Sequence, residues 1–483
     1  MVYLGIDIGT SSLKITLINE KKEVLFEGNT GYRYVEPQEG YRELDPSLWY
    51  EAACQMMQKA LRGTKFQEVM IGITGQMHTT VFLDDKGDSV RPAIMWNDLR
   101  TAAMIPGLRK ELTNIAETTY IARILSTGSP FVNILWLKEQ EPENFKKVRR
   151  IMTAYDYLIY KFTGAFSCDY CAASTSAMYD IVLKKWSRYM LEKAGIDESF
   201  FGKLHTSCDV VGYLHDDIRQ RLKLSQPVKV IAGTGDNPAT AAALGITERE
   251  EPAISLGTSG VIILAKKDGD FEGCGKNVLF KTEKDTLVNI VQGTVQSAGG
   301  THRWWLENIL KTTDMACDQE EIAMEKLGDN TILFFPHLSG DKTIYHDPDI
   351  RGAFIGLSTR TTRRDMTQAV LEGIGFGLRE VLERMAPSSW PHSIQVNGGG
   401  SRSALWMQIL ADILHMRVEV AAVPATPGYG VCMLAMMADN NRITEEGRNE
   451  KKIYRPDEGA GRKYDIMYEK YKKIYRCLNA VGD

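Results

Sequence analysis

The chain has 483 residues, 43% of them hydrophobic and 25% charged, with 62 acidic against 58 basic side chains and a formal net charge of −4. That length suits two domains, each with its own core, and the slightly acidic balance lacks the basic footprint of a nucleic-acid binder. No apolar run approaches the roughly 18–20 residues that span a bilayer, and the opening MVYLGIDIG carries no cationic segment of the signal-peptide kind, so the expected setting is cytoplasmic.

In chain order, residues 3–18 predict a β-hairpin, with a third strand near 22–28. A loop containing Pro37 and Gly40 leads to a helix from Asp45-Pro46 to about Leu61, with Asp45 as N-cap and Pro46 at the first helical position. Strands follow at 67–73 and 79–84. The charged stretch 130–193 reads as a mostly helical insertion. VKVIAGT at 227–233 is a buried strand that ends in Thr234-Gly235-Asp236-Asn237-Pro238 and an Ala-rich helix. A second hairpin at 253–265 opens the later half. A strand near 286–293 runs into Gln296-Ser297-Ala298-Gly299-Gly300 and a helix with Trp304 and Trp305. Then come a helix over 363–384, a strand at 393–397, the cluster Gly398-Gly399-Gly400-Ser401-Arg402-Ser403, and a helix to about 415. A strand at 417–420, the breakers Pro424, Gly428 and Gly430, and a helix at 431–439 follow, and 441–461 reads as polar surface. Recurring strand, glycine turn and helix give an α/β class, with ligands expected at the carboxyl ends of strands. The domain boundary is expected near 242–252, giving domains 1–244 and 245–483.

One pattern occurs twice. Residues 6–18 read IDIGTSSLKITLI and residues 254–265 read ISLGTSGVIILA. Each turn offers a glycine, hydroxyls and clustered N–H groups, a concave nest that suits phosphate. For either copy alone, an ordinary β-turn is the competing reading. Two copies, one per half, point to two related lobes gripping one polyphosphate.

Asp7 precedes Gly9-Thr10-Ser11-Ser12. A carboxylate there would repel a bare phosphate, but it suits Mg2+ held directly or through water; capping of its own turn is the alternative. Asp236, at a strand-to-helix turn, is placed as a general base, as a helix N-cap, or as both. In Gly75-Gln76-Met77-His78, Gln and His offer directional hydrogen bonds for sugar hydroxyls and Met an adaptable wall. Trp96-Asn97-Asp98 with Arg100 offers further hydroxyl ligands. For both segments a structured polar loop is the alternative. The Gly398–Gly400 cluster with Ser403, and Gly299-Gly300 upstream, can admit a nucleotide close to the backbone; a tight strand-to-helix turn explains each equally. The nearest P-loop match, Gly269 to Gly275-Lys276-Asn277, is one residue too long and lacks the Ser/Thr. HExxH, GxSxG and an opening GxGxxG are absent from the sequence. Among the eight cysteines the one CxxC, Cys168 to Cys171, lacks the second pair of a zinc ribbon and reads as two incidental thiols.

Together, in this order, these residues resemble the FGGY family of carbohydrate kinases over nearly the whole chain. Gly352 to Glu372 (GAFIGLSTRTTRRDMTQAVLE) is similar to that family's C-terminal signature. The resemblance implies an actin-like (ribonuclease H-like) architecture of two lobes with a duplicated core and an interlobe cleft, closing when sugar binds. GQMH at 75–78, RPAIMWNDLRT at 91–101 and GTGDN at 233–237 look most like its ketopentose-phosphorylating branch. The implied reaction is ATP-dependent conversion of D-xylulose to D-xylulose 5-phosphate, with another ketose, polyol or sugar acid, or an actin-like switch or sensor, as alternatives. Asp236 would accept the proton, and Gln76, Met77, His78, Trp96, Asn97, Asp98 and Asn237 would contact the sugar. Gly9, Thr10, Ser11, Ser12, Lys14, Gly257, Thr258, Gly299, Gly300, Arg303, Gly398, Gly399 and Ser403 would contact ATP, with Mg2+ near Asp7 through water. The implied partner is a small-molecule sugar, with neither nucleic acid nor membrane, in a homodimer by family analogy. The sequence departs from the family pattern at Asn133, Leu99 and 168–180 (CDYCAASTSAMYD).

Overall fold

The computed structural model describes residues 1–63, 66–246, 252–283, 286–317, 319–320, 322–420, 425–439 and 451–482. Pro424, and parts of the expected boundary 242–252 and of the 441–461 stretch, lie outside them. The chain divides into two compact units. The first comprises Met1–Thr247, Val278–Asn289 and Thr426–Gly447; the second comprises Glu248–Asn277, Ile290–Ala425 and Arg448–Asp483.

The sheet of the first unit runs in the order Val210–Tyr213, Lys229–Ile231, Val69–Gly75, Val2–Ile8, Ser12–Asn19, Val24–Gly31. Val2–Ile8 pairs antiparallel with Ser12–Asn19 and parallel with Val69–Gly75. Lys229–Ile231 and the short Thr234–Gly235 also pair parallel with Val69–Gly75. Every residue of Val2–Ile8 and Val69–Gly75 is buried, as expected for central strands covered on both faces.

The second sheet runs Lys276–Glu283, Thr286–Val295, Gly260–Lys267, Ala253–Leu256, Ser393–Asn397, Arg417–Val420, Lys452–Tyr454. Ala253–Leu256 again pairs antiparallel with the next strand and parallel with Ser393–Asn397. Arg417–Val420 adds parallel and Lys452–Tyr454 antiparallel. From each hairpin outwards the sequence of pairings is the same in both sheets. The core is duplicated, and the two Gly-Thr-Ser turns stand at matching corners.

Several elements differ from the sequence expectation. The helix expected at 431–439 begins at Pro427 and runs to Ala438, capped by the Thr426 side chain. Gly428 and Gly430 are helical contacts, not breakers. A Cβ on Gly5 would lie 2.0 Å from the Gly428 carbonyl oxygen, and one on Gly430 would lie 1.8 Å from that of Ala239. These glycines let the helix backbone rest directly on the sheet and on helix Asp236–Ala243. The 130–193 region is helical at Pro130–Gln140, Ala154–Thr163 and Arg188–Ala194, but short strands interrupt it at Arg150–Met152, Ser167–Asp169, Tyr179–Asp180 and Lys185–Trp186. The third strand is Val24–Gly31. The first long helix is Ser47–Leu61, one residue later than expected, although the Asp45 carboxylate does accept the Ser47 N–H at 2.9 Å.

Candidate active site

In the first unit three neighbouring parallel strands end at one edge, and each delivers a candidate residue. Asp7 lies opposite Thr74 in the register, and Gly75 lies opposite Ile8 and Gly235. Asp7, Gln76 and Asp236 therefore stand at the carboxyl ends of adjacent strands, where open α/β sheets bind ligands.

Asp7 is buried, and that burial pushes its carboxyl up to about 6, against a smaller opposing pull from Lys14. Lys14 sits opposite Asp7 across the hairpin. The turn between them is tight. Gly9 N–H donates to the Ser12 carbonyl at 3.0 Å, Tyr32 N–H donates to the Ser11 carbonyl at 3.0 Å, and the Tyr32 hydroxyl donates to the Gly9 carbonyl. Tyr32 carried no sequence signal; its role appears only once the third strand is laid beside the turn.

Gln76 is 3% exposed, and among the described residues neither atom of its side-chain amide has a hydrogen-bond partner. A buried amide left unpaired costs about 1–3 kcal/mol, so an unpaired group of this kind calls for an explanation. The Thr74 hydroxyl beside Asp7 is buried without a partner in the same way. Met77 packs with Cys171 and Val278, with its Sδ 3.5 Å from the Cys171 Sγ. His78 adopts a left-handed φ of +70°, and its Nδ1 lies 3.1 Å from the Thr175 carbonyl oxygen. Asp236 opens helix Asp236–Ala243, and both it and Asn237 are half-buried there. Gly235 capping that helix brings Asp236 close to Met77: a Cβ on Gly235 would lie 2.6 Å from both Met77 Cγ and Cys171 Sγ.

Cys168 and Cys171 are buried free thiols, and burial pushes both upward. Cys171 forms part of the wall behind Met77 and is more than an incidental thiol. Asn133 is also buried, its Nδ2 donating to the Thr80 hydroxyl at 2.9 Å and the Gly128 carbonyl at 3.1 Å.

The Trp96-Asn97-Asp98 loop divides by role. Trp96 is 43% exposed and its indole N–H donates to the Thr10 hydroxyl at 2.9 Å. Asn97 gives its carbonyl to Arg42 at 2.7 Å. Asp98 is 1% exposed and its carboxylate is saturated: it accepts the N–H of Arg42 and the N–H, Nε and Nη2 of Arg100. Arg100 also reaches Glu43 at 2.8 Å and lies over the Tyr41 and Trp136 rings. Asp98 therefore shapes the loop, and its oxygens are already engaged within the protein.

In the second unit the Gly257–Ser259 turn meets the start of helix Gly299–Trp304. Ala298 and Gly300 N–H donate to the Thr258 carbonyl, and Gly299 N–H to that of Gly257, each at 2.9 Å. A Cβ on Gly299 would lie 2.2 Å from the Gly257 carbonyl oxygen. Gly398, with φ +95°, abuts Leu256 just before that turn, while nothing lies within 4 Å of a Cβ built on Gly399. Gly257, Thr258, Gly299, Gly300, Gly398 and Gly399 thus form one glycine-rich corner. Arg303 is exposed on the adjoining helix. Ser403 caps helix Ala404–Leu414 and donates to Gln319 Oε1 at 2.5 Å.

Among the described residues no group of three or more His, Cys, Asp or Glu side chains could cage a metal. Asp7, with Thr74 opposite it in the strand register, offers a carboxylate and a hydroxyl, a sparse oxygen set of the kind Mg2+ takes while keeping several waters. An open groove of about 910 Å³ lies at the opposite ends of the strands, beside Val69 and Val228. Its cations Lys59, Arg62, Arg221 and Lys223 lie in or just after the last turns of helices Ser47–Leu61 and Asp216–Arg221, where they complement the helix dipoles. No helix among the described residues is long and apolar enough to cross a membrane.

Models of the N-terminal and C-terminal domains of the FGGY family of carbohydrate kinases match residues 2–245 and 253–438. The xylulose kinase of Lactococcus lactis is 32% identical to this chain, over 100% of the chain and 98% of that protein. The xylulose kinase of Staphylococcus xylosus is 30% identical, over 98% and 100% respectively. Among solved structures, a xyloylose kinase from Brucella ovis matches with a TM-score of 0.86 at 28% identity, covering 100% of both chains.

Proposed function

The chain belongs to the FGGY family of carbohydrate kinases, and on that premise we propose that it transfers the γ-phosphoryl group of MgATP to D-xylulose, giving D-xylulose 5-phosphate and ADP. The observation that carries this reading is the placement of Asp236, the unpaired Gln76 amide and Asp7 at the ends of three adjacent strands. A carboxylate that could serve as base, a buried amide that could recognise a hydroxyl and a carboxylate that could hold a cation follow adjacent strands, and phosphoryl transfer to an alcohol needs these three functions.

In this reading Gln76 and His78 hydrogen-bond the sugar hydroxyls, and Met77 walls the carbon skeleton. The Asp236 carboxylate takes the proton of the terminal hydroxyl. That oxygen forms the new bond to the γ-phosphorus as the bond to the β,γ-bridging oxygen breaks, and ADP leaves with the electron pair. The Gly9–Ser12 turn offers N–H groups and hydroxyls to the phosphate chain, since phosphoryl transfer is mainly positioning and charge neutralisation. Asp7 would hold Mg2+, which would supply neutralising charge there. A carboxyl pushed up to about 6 by burial favours a nearby cation at neutral pH. A cytoplasmic setting, where MgATP is abundant, suits the reaction.

The relatives named xylulose kinase support xylulose as the acceptor, and D-xylulose is the form we propose. The test is ADP release from MgATP with D-xylulose, L-xylulose, D- and L-ribulose, glycerol, gluconate or no sugar. Strong stimulation by D-xylulose alone is expected. Stimulation by another member overturns the substrate, and indifference to every sugar overturns the kinase reading.

A further inference from the structure

We propose that Trp96 is a positioning residue that ties sugar occupancy to the phosphate turn, through its hydrogen bond to Thr10. This inference rests on the reading of Gln76–His78 as the sugar loop.

The Trp96 backbone has no slack. Its N–H donates to the Thr79 hydroxyl at 3.0 Å, and Thr79, fully buried, directly follows His78. On the other side Gly128, with φ +77°, presses against it: a Cβ there would lie 2.3 Å from the Trp96 carbonyl oxygen. The sugar loop therefore fixes where the indole starts. The ring itself is 43% exposed. A large aromatic side chain held in solvent gives up the burial that ordinarily stabilises it, yet this one keeps its N–H directed at Thr10.

At the far end, Tyr32 pins the turn through the Gly9 and Ser11 carbonyls, leaving the Thr10 side chain as its adjustable group. A threonine hydroxyl has one donor and two acceptor lone pairs. Accepting the indole N–H uses one lone pair and leaves the O–H free to donate to a phosphoryl oxygen. A sugar packed against the indole would hold the ring still, and with it the direction of that O–H. Without sugar only the bond to Thr10 holds the exposed ring, so the turn is less firmly aligned and transfer of the phosphoryl group to water is suppressed.

The experiment measures ADP release and sugar phosphate formed, with and without D-xylulose, for wild type, Trp96→Phe, Thr10→Val, Thr10→Ser and the Trp96→Phe/Thr10→Val double variant. Trp96→Phe keeps an aromatic ring but removes the pyrrole ring with its N–H, at a partly exposed position outside the core. We expect the sugar stimulation of ATP turnover to fall at least tenfold in Trp96→Phe and in Thr10→Val, with Thr10→Ser restoring most of it. The double variant should be no worse than the worse single one, because both remove the same bond. Undiminished stimulation in Trp96→Phe, or fully additive losses, would overturn the coupling while leaving the kinase reading intact. Wild-type turnover that ignores every sugar would remove both.

Discussion

Gly235 and Met77 touch across the floor of the candidate site: a Cβ added to Gly235 would lie 2.6 Å from Met77 Cγ, and equally close to Cys171 Sγ. Two loops from neighbouring strands meet there, one carrying the expected sugar wall and the other the expected base. Gly235→Ala should displace Asp236 and lower kcat about 100-fold, with an overpacking cost of about 1–3 kcal/mol. Removing the thiol as well, in Gly235→Ala/Cys171→Ala, should recover part of both losses. Kinetics and urea unfolding of the two variants check this, and a Gly235→Ala enzyme with ordinary turnover would contradict the packing argument.

Gln76 is expected to trade stability for recognition. Its amide is buried without a partner among the described residues. Gln76→Met fills the same volume without a polar group, so the protein should gain about 1 kcal/mol of stability. Sugar KM should rise at least tenfold, because a hydroxyl ligand loses its partner. Thermal unfolding and sugar titrations measure the two effects. A variant that is destabilised with unchanged KM would show that the amide is structural.

Asp98 should behave in the opposite way. Its carboxylate is fully engaged by Arg100 and two backbone N–H groups. Asp98→Ala leaves the Arg100 guanidinium buried with Glu43 as its remaining ion-pair partner, and breaking such a buried pair costs about 3–5 kcal/mol. Denaturant unfolding should show a loss of that order. Full stability with a large rise in sugar KM would instead return Asp98 to the sugar's ligands.

Much of this arrangement is legible before folding is considered. The two Gly-Thr-Ser turns, GQMH and GTGDN are local signals, and each lies at the end of a strand that its own apolar pattern announces. What the sequence hides is set by distant packing. Gly428 and Gly430 look like breakers because glycine ordinarily weakens a helix; their use is to let a helix backbone lie against Gly5 and Ala239, more than 190 residues away in the chain. Asp98 looks like a hydroxyl ligand until Arg100 and Arg42 are seen to occupy it. Cys171 looks incidental until it is found against Met77. The separate roles of Trp96 and Asp98, two residues apart, come from which way the loop turns each side chain.

Asp7 predicts a pH dependence. Its carboxyl is raised by burial from an ordinary 3.8 to about 6. Its stabilising contribution is therefore fully present below about pH 4 and is lost as pH rises through about 6. The shift corresponds to roughly 3 kcal/mol at neutral pH. Asp7→Asn should be more stable than wild type at pH 8 without nucleotide, by an amount of that order, and the gap should close below pH 4. Other buried acids, such as Glu372, are common to both proteins and cancel in the comparison. Melting curves from pH 4 to 8 test this. Parallel profiles for the two proteins would contradict a strained Asp7 carboxylate, and the same variant should lose most of its turnover with MgATP.

The role of Asp236 is measured by the rate at which D-xylulose 5-phosphate forms from D-xylulose and MgATP, followed by 31P NMR, in wild type and Asp236→Asn. Sugar-dependent product is expected from the wild type. In the variant kcat should fall by about 10²–10⁴, the range expected for removing a general base, with thermal stability retained. An Asp236→Asn enzyme that forms the product at close to the wild-type rate would contradict that role.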